Sequence, residues 1–188
     1  MSENELREDI AAIGKSLYDR GLAHGSAGNI SVKLADGWLM TPTNSCMGRL
    51  DPARISRLDA NGRLVSGDKP SKETFLHIAM YGERAGCGAV VHLHSVHSVA
   101  VSCMDGLAAD DVLPPITAYA VMQVGRLALV PYYPPGDEAL ADAVRKVAGK
   151  HHAVLLANHG PVVAGATQRA RGSSARSRRS QKGWWSAA

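Results

Sequence analysis

The chain is poor in the features that mark secreted and membrane-spanning folds. Its 188 residues contain three cysteines, Cys46, Cys87 and Cys103, an odd number with no Cys-x-x-Cys pair. That pattern argues against a disulfide framework and a thiolate zinc site, and makes a cytoplasmic location the expectation. No apolar run approaches the roughly 18–20 residues a membrane-crossing helix needs. No signal-peptide pattern opens the chain, and no internal repeat runs through it. Acid is missing from one stretch: six of the 21 basic residues, Arg169, Arg171, Arg176, Arg178, Arg179 and Lys182, follow Gly165, where no Asp or Glu occurs. The other 15 basic residues face all 17 acidic ones, so the body is nearly neutral and gives no argument for nucleic acid.

What is present suits one soluble domain, with 45% hydrophobic and 20% charged residues. Residues 1–165 are expected to form that domain, and 166–188 a separate tail. Thr167 to Ser180 is rich in Arg, Ser and Gly, lacks apolar periodicity and precedes an isolated Trp184-Trp185 pair. Such a stretch buries too little surface to offset the entropy of ordering, so disorder is expected. An expression remnant or an altered reading frame accounts for it better than an arm for anionic partners.

Apolar spacing at Leu6, Ile10, Ile13 and Leu17 predicts a helix over Asn4 to Gly21. A Gly/Ser turn at 25–28 runs into a strand, Trp38 to Thr43 reads as its partner, and Asp36-Gly37 signals the hairpin between them. A turn at Asn61-Gly62 precedes Arg63-Leu64-Val65, and Ser71-Lys72-Glu73-Thr74 reads as a helix start. Further expectations are strands at Gly88 to His94, Leu127 to Val130 and Ala153 to Ala157, with helices at Val96 to Met104 and Asp137 to Val147. Alternating helices and strands imply a layered α/β fold, and the hairpin signals argue against an all-parallel sheet.

Chemistry concentrates in Val90-Val91-His92-Leu93-His94-Ser95. Side chains two apart on a strand share a face, so His92 and His94 could grip one ion. A third ligand comes from His159, which ends a second apolar strand, with His97 the competing candidate. Three imidazoles leaving a fourth position open describe a catalytic zinc site. Hydroxyl- and glycine-rich turns at Ser26-Ala27-Gly28-Asn29, Thr41-Pro42-Thr43-Asn44-Ser45 and Ser71-Lys72 offer donors for an oxyanion such as phosphate. Glu73, in the first helical turn, reads either as a dipole-stabilising carboxylate or, beside a metal, as a group that moves protons to or from a carbon acid. A divalent ion holding adjacent carbonyl and hydroxyl oxygens would stabilise an enediolate. Metal-assisted carbanion chemistry on a phosphorylated sugar or sugar acid is the reaction class that follows.

Gly28-Asn29-Ile30-Ser31, Thr41-Pro42-Thr43, Ser71-Lys72-Glu73, His92-Leu93-His94 and Asn158-His159-Gly160 stand in the order and approximate spacing of the class II aldolase/adducin family. The resemblance spans about Asp9 to Gly165 and is specific as a set. It implies a three-layer α/β/α fold with a mostly antiparallel central sheet. It also implies zinc held by His92, His94 and His159, with manganese or cobalt as substitutes, and proton transfer by Glu73. Phosphate contacts would come from Asn29, Thr43, Asn44, Ser71 and Lys72. A four-fold homotetramer is implied too, with Tyr119 as the tyrosine lent by a neighbouring subunit. Ser-Lys-Glu at 71–73, His94-Ser95-Val96-His97-Ser98, Pro114 to Tyr119 and Pro131 to Asp137 resemble the 3-oxo-tetronate 4-phosphate decarboxylase branch. Aldolase, pentulose-phosphate 4-epimerase and methylthioribulose-phosphate dehydratase activities would use the same histidines. A non-catalytic, adducin-like scaffold is the reading outside enzymes, and the retained histidines and Glu73 speak against it. The family pattern continues beyond Pro161 into a closing helix, which the Arg/Ser tail replaces here, with an expected cost to stability and assembly.

Overall fold

The Ser2 hydroxyl accepts the Glu5 backbone N–H while the Glu5 carboxylate accepts the Ser2 N–H, a capping box that starts helix α1 (Glu3–Asp19). The helix buries Leu6, Ile10, Ile13 and Leu17, one stripe at helical spacing. These coordinates, a computed structural model, describe residues 1–166. The expectations for the tail and the missing closing helix lie outside the described residues.

After α1 come a hairpin of β1 (Asn29–Leu34) and β2 (Gly37–Met40), two 3-10 turns, then β3 (Ser56–Asp59) and β4 (Leu64–Ser66). Helix α2 (Thr74–Glu83), strand β5 (Ala89–His92), and helices α3 (Val96–Ser102) and α4 (Ala118–Gln123) follow. Strand β6 (Ala128–Val130), helix α5 (Ala139–Ala148), and strands β7 (Ala153–Leu156) and β8 (Gly160–Gly165) complete the series. The strands form one sheet in the order β4-β3-β2-β1-β5-β8-β7-β6. Among the described residues only β6 and β7 pair in parallel, so the sheet is mostly antiparallel, as expected.

Period-two alternation sorts the side chains onto two faces. Val90, Val154, Leu156 and Val162 pack with Leu76 and Met80 of α2 and Leu140 and Val144 of α5. Ala89, Val91 and Leu93 face the other way, onto Leu6, Ile10, Ile13 and Leu17 of α1. Val163, which pairs with Val91, joins Leu155, Val112 and Leu127 in a third cluster, with Val101 of α3 against it. Helices therefore cover both faces, which makes the three-layer α/β/α arrangement.

Several boundaries differ from expectation. Strand β5 ends at His92, two residues short of His94, because Ser95 already begins the turn into α3. Helix α2 begins at Thr74, after a turn in which the Thr74 N–H donates to the Ser71 carbonyl. Strands β3 and β8 and helix α4 were not anticipated from the sequence.

Candidate active site

In the register of β1 against β5, Asn29 sits opposite His92 and Ser31 opposite Val90, so these side chains leave the sheet toward α2. Gly28 precedes them with φ +83°, and a Cβ there would lie 3.0 Å from the His92 carbonyl oxygen. Only glycine lets the chain enter β1 so close to the end of β5.

A second approach brings in the third histidine. The Asn158 N–H donates to the Ser102 carbonyl at the end of α3, and the His159 N–H to the Ser102 hydroxyl. Asn158 itself takes the left-handed conformation at φ 56°, which asparagine tolerates better than most residues. Gly160, at φ +152°, then passes so near the Leu93 carbonyl that any side chain would collide with it. Residues 158–160 thus press the β7–β8 turn onto the segment that carries His94.

The result is a triangle of imidazole nitrogens. His92 Nε2 lies 2.9 Å from His94 Nε2 and 3.3 Å from His159 Nε2, and the last two are 3.0 Å apart. The His92 Nδ1–H donates to the Pro161 carbonyl at 2.9 Å, which leaves its Nε2 lone pair bare toward the other two rings. Burial pushes His92 down to about 4, so the ring is neutral near pH 7. His94 is lowered too, by burial and by the adjacent His159.

Glu73 closes the group. It stands at the N-cap of α2 and makes no side-chain cap hydrogen bond. Its Oε1 lies 3.2 Å from His159 Nε2 and 3.6 Å from His92 Nε2, while Oε2 accepts from Asn29 Nδ2 at 2.6 Å. Burial by itself would raise this carboxyl, but the hydrogen bonds it makes with His159 and with the Asn29 amide outweigh it. The group is held well below the usual carboxylate range. Ligand atoms of Glu73, His92, His94 and His159 all lie within 4.8 Å of one another. Three imidazole nitrogens and a carboxylate oxygen crowded this closely are satisfied together by a shared cation, so these four residues fit a divalent metal ion.

A cleft of about 840 Å³ opens in front of the cluster. Its walls include Asn29, Thr43, Asn44, Ser71, Lys72, Glu73, His94 and His159, nine of the ten predicted site residues once the fully buried His92 behind them is counted. Two loops bring the donors together, since the Thr43 N–H donates to Lys69 and the Ser71 N–H to Thr41. Tyr119 is the exception: it is 55% exposed on α4 and does not line this cleft. His97 lies exposed on α3, outside the cluster. The sequence reading missed His77, which hydrogen-bonds Asn29 from α2, and the cleft-lining His24. The signal for His77 was its spacing, four residues after Glu73 and so on the same side of a helix.

Fold and site together define a class: an α/β protein with a histidine-carboxylate centre suited to a divalent ion, facing a cleft rich in anion donors. The family profile of the Class II Aldolase and Adducin N-terminal domain matches residues 8–170. The chain belongs to that class II aldolase and adducin family. It is 52% identical over 164 residues to the 3-oxo-tetronate 4-phosphate decarboxylase of Escherichia coli (strain K12), covering 87% of this chain and 77% of the relative. It is 33% identical over 162 residues to the L-fuculose phosphate aldolase of the same strain, covering 85% and 73%. The crystal structure of YgbL from Escherichia coli superposes with a TM-score of 0.86 at 48% identity, covering 89% of this chain and 82% of that one. Like the decarboxylases and aldolases it resembles, the protein is an enzyme of the carbon–carbon lyase kind.

Proposed function

We propose that this protein is a zinc-dependent decarboxylase of 3-oxo-tetronate 4-phosphate, yielding carbon dioxide and dihydroxyacetone phosphate. The observation that carries the reading is the convergence of the three histidine Nε2 atoms and Glu73 Oε1 at the floor of a donor-lined cleft large enough for a sugar-acid phosphate. Identity of 46–52% to the 3-oxo-tetronate 4-phosphate decarboxylases, against 31–35% to the sugar-phosphate aldolases, favours decarboxylation over aldol cleavage.

His92, His94 and His159 would hold the ion with Glu73 beside them, a donor set that suits zinc, with manganese or cobalt as substitutes. Bound there, the ion polarises adjacent substrate oxygens and offsets the negative charge that develops as the neighbouring bond breaks. In a 3-oxo acid the bond between C1 and C2 breaks, carbon dioxide leaves, and the electron pair passes toward the C3 oxygen. A proton then adds to C2. Glu73 is ionised at rest and is held through Oε2 by Asn29, so Oε1 would take a proton from solvent in the open cleft and deliver it to C2. Thr43, Asn44, Ser71 and Lys72, with Asn29 in the same cleft wall, hold the phosphate group. The working enzyme is a homotetramer located in the cytoplasm.

The deciding experiment supplies metal-loaded protein with 3-oxo-tetronate 4-phosphate and with fuculose 1-phosphate, and measures carbon dioxide and aldehyde separately. Carbon dioxide from the first without aldehyde from the second is expected. Aldehyde release alone would establish an aldolase. His92→Ala protein should retain less than one equivalent of zinc per chain and lose turnover, and undiminished zinc would remove the site.

A further inference from the structure

Five polar side chains run in single file from the histidine cluster into the core beneath α2. Glu73 Oε2 accepts from Asn29 Nδ2 at 2.6 Å, and Asn29 Oδ1 lies 2.5 Å from His77 Nε2. His77 Nδ1 lies 2.7 Å from Ser31 Oγ, and Ser31 Oγ lies 2.8 Å from Tyr81 Oη. Ser31, His77 and Tyr81 are all buried. Burying this many polar groups is costly unless each is paired, and every link here is within hydrogen-bond reach.

The donor directions along the file follow from its Glu73 end. An ionised carboxylate can only accept, so Asn29 turns its NH2 to Glu73 and its carbonyl oxygen to His77. His77 must therefore donate from Nε2. A neutral imidazole carries one N–H, so Nδ1 accepts from the Ser31 hydroxyl, and the Tyr81 O–H donates to Ser31. A neutral ring agrees with the burial of His77, which lowers it to about 3. Were the proton on Nδ1 instead, the Nε2 lone pair would face Asn29 Oδ1 at hydrogen-bond distance, or the amide would flip and set its oxygen against Glu73. Both arrangements oppose acceptor to acceptor.

We propose that His77 is a positioning residue: by donating from Nε2 it locks the Asn29 amide in the orientation that holds Glu73 Oε2, leaving Oε1 turned to the histidine nitrogens. Ser31 and Tyr81 in turn hold the His77 tautomer. The same geometry makes the amide the switch on which carboxylate placement depends, since no other side chain among the described residues hydrogen-bonds Asn29 Oδ1. Only the activity part of the test rests on the decarboxylase reading.

The test has two parts. In the full chain labelled with 15N-histidine, with the His77 signals assigned by their absence from His77→Gln, nitrogen shifts should report Nε2–H and a bare Nδ1 from about pH 6 to 8, the range where histidine ordinarily titrates. An Nδ1–H tautomer or an imidazolium in that range overturns the proposal, whatever the enzyme turns over. The second part compares two amides. His77→Gln places its amide where Nε2 stood and can still donate to Asn29, whereas His77→Asn reaches only the Ser31 side. With both folded, His77→Gln should keep most of kcat and His77→Asn should lose about 10–100-fold, the usual cost of removing a partner that orients an active-site group. Equal losses, or none in either, overturn it. If the wild type releases no carbon dioxide, the decarboxylase reading falls while the tautomer measurement still decides the role of His77.

Discussion

At Glu73 the direction of the carboxylate bears on the choice between a role at the helix start and a role in chemistry. It points away from the helix N–H groups and into the histidine cluster. Glu73→Gln should therefore keep the fold and lower kcat by roughly two to four orders of magnitude, the span of general acid-base catalysis. Near-normal carbon dioxide release from the folded variant would leave it no catalytic role. His77 makes a prediction about pH. Its folded value, about 3, lies below the ordinary 6.5, so the neutral form is favoured by folding. Stability from this group is present above pH 6.5 and lost as pH falls toward 3, about 2 kcal/mol of it by pH 5. In urea titrations of metal-free protein, His77→Gln should lose less stability than wild type between pH 7 and pH 5, and equal losses would contradict the shift. The residues that carry chemistry were legible in the sequence because spacing announces them: His92 and His94 two apart in an apolar run, His159 before a glycine. His77 was harder to read, because its spacing of four from Glu73 places it on the same side of a helix but does not show that Asn29 of the opposite strand meets it there.

Among elements, those defined by local pattern were readable and those defined by distant pairing were not. Helix α1, the β1–β2 hairpin, β5 and α5 follow from apolar spacing, turn residues and caps. Strand β8 was hidden by Pro161 and its flanking glycines, which ordinarily break strands. The sheet tolerates Pro161 in a central strand because its carbonyl still accepts from the Leu93 N–H and the His92 ring. Strand order was not legible either, since β5 pairs with β1 and β8, segments far from it in the chain. Gly160→Ala tests the turn that links these strands. Its backbone conformation alone should cost about 1–3 kcal/mol, and the collision with Leu93 should move His159 off the triangle. Calorimetry should show a lower Tm together with weaker binding of a divalent metal ion. A variant with an unchanged Tm would remove the steric argument.

For the molecule as a whole, Tyr119 lies outside the cleft of its own chain and is exposed, as are its sequence neighbours Ile116 and Met122. In the proposed homotetramer it would act in the neighbouring subunit's cleft. Mixing inactive Glu73→Gln chains with inactive Tyr119→Phe chains should then restore part of the turnover, because some interfaces combine an intact glutamate with an intact tyrosine. Tyr119→Phe chains that are fully active, or mixtures that gain nothing, would exclude a shared site. Sedimentation of the wild type should give four chains per particle.

The central place of β8 also dictates when the protein can be finished. Residues 160–165 are among the last of the described chain to leave a ribosome, yet they fill the gap between β5 and β7. Until they arrive, β5 presents an open edge, nothing presses His159 onto His92 and His94, and the nascent chain holds two unjoined half-sheets. Such an edge invites pairing with other chains. Translation that stops short of Gly160 should accordingly yield aggregates rather than a metal-binding fragment, which makes completion of the metal centre and closure of the sheet the same late event.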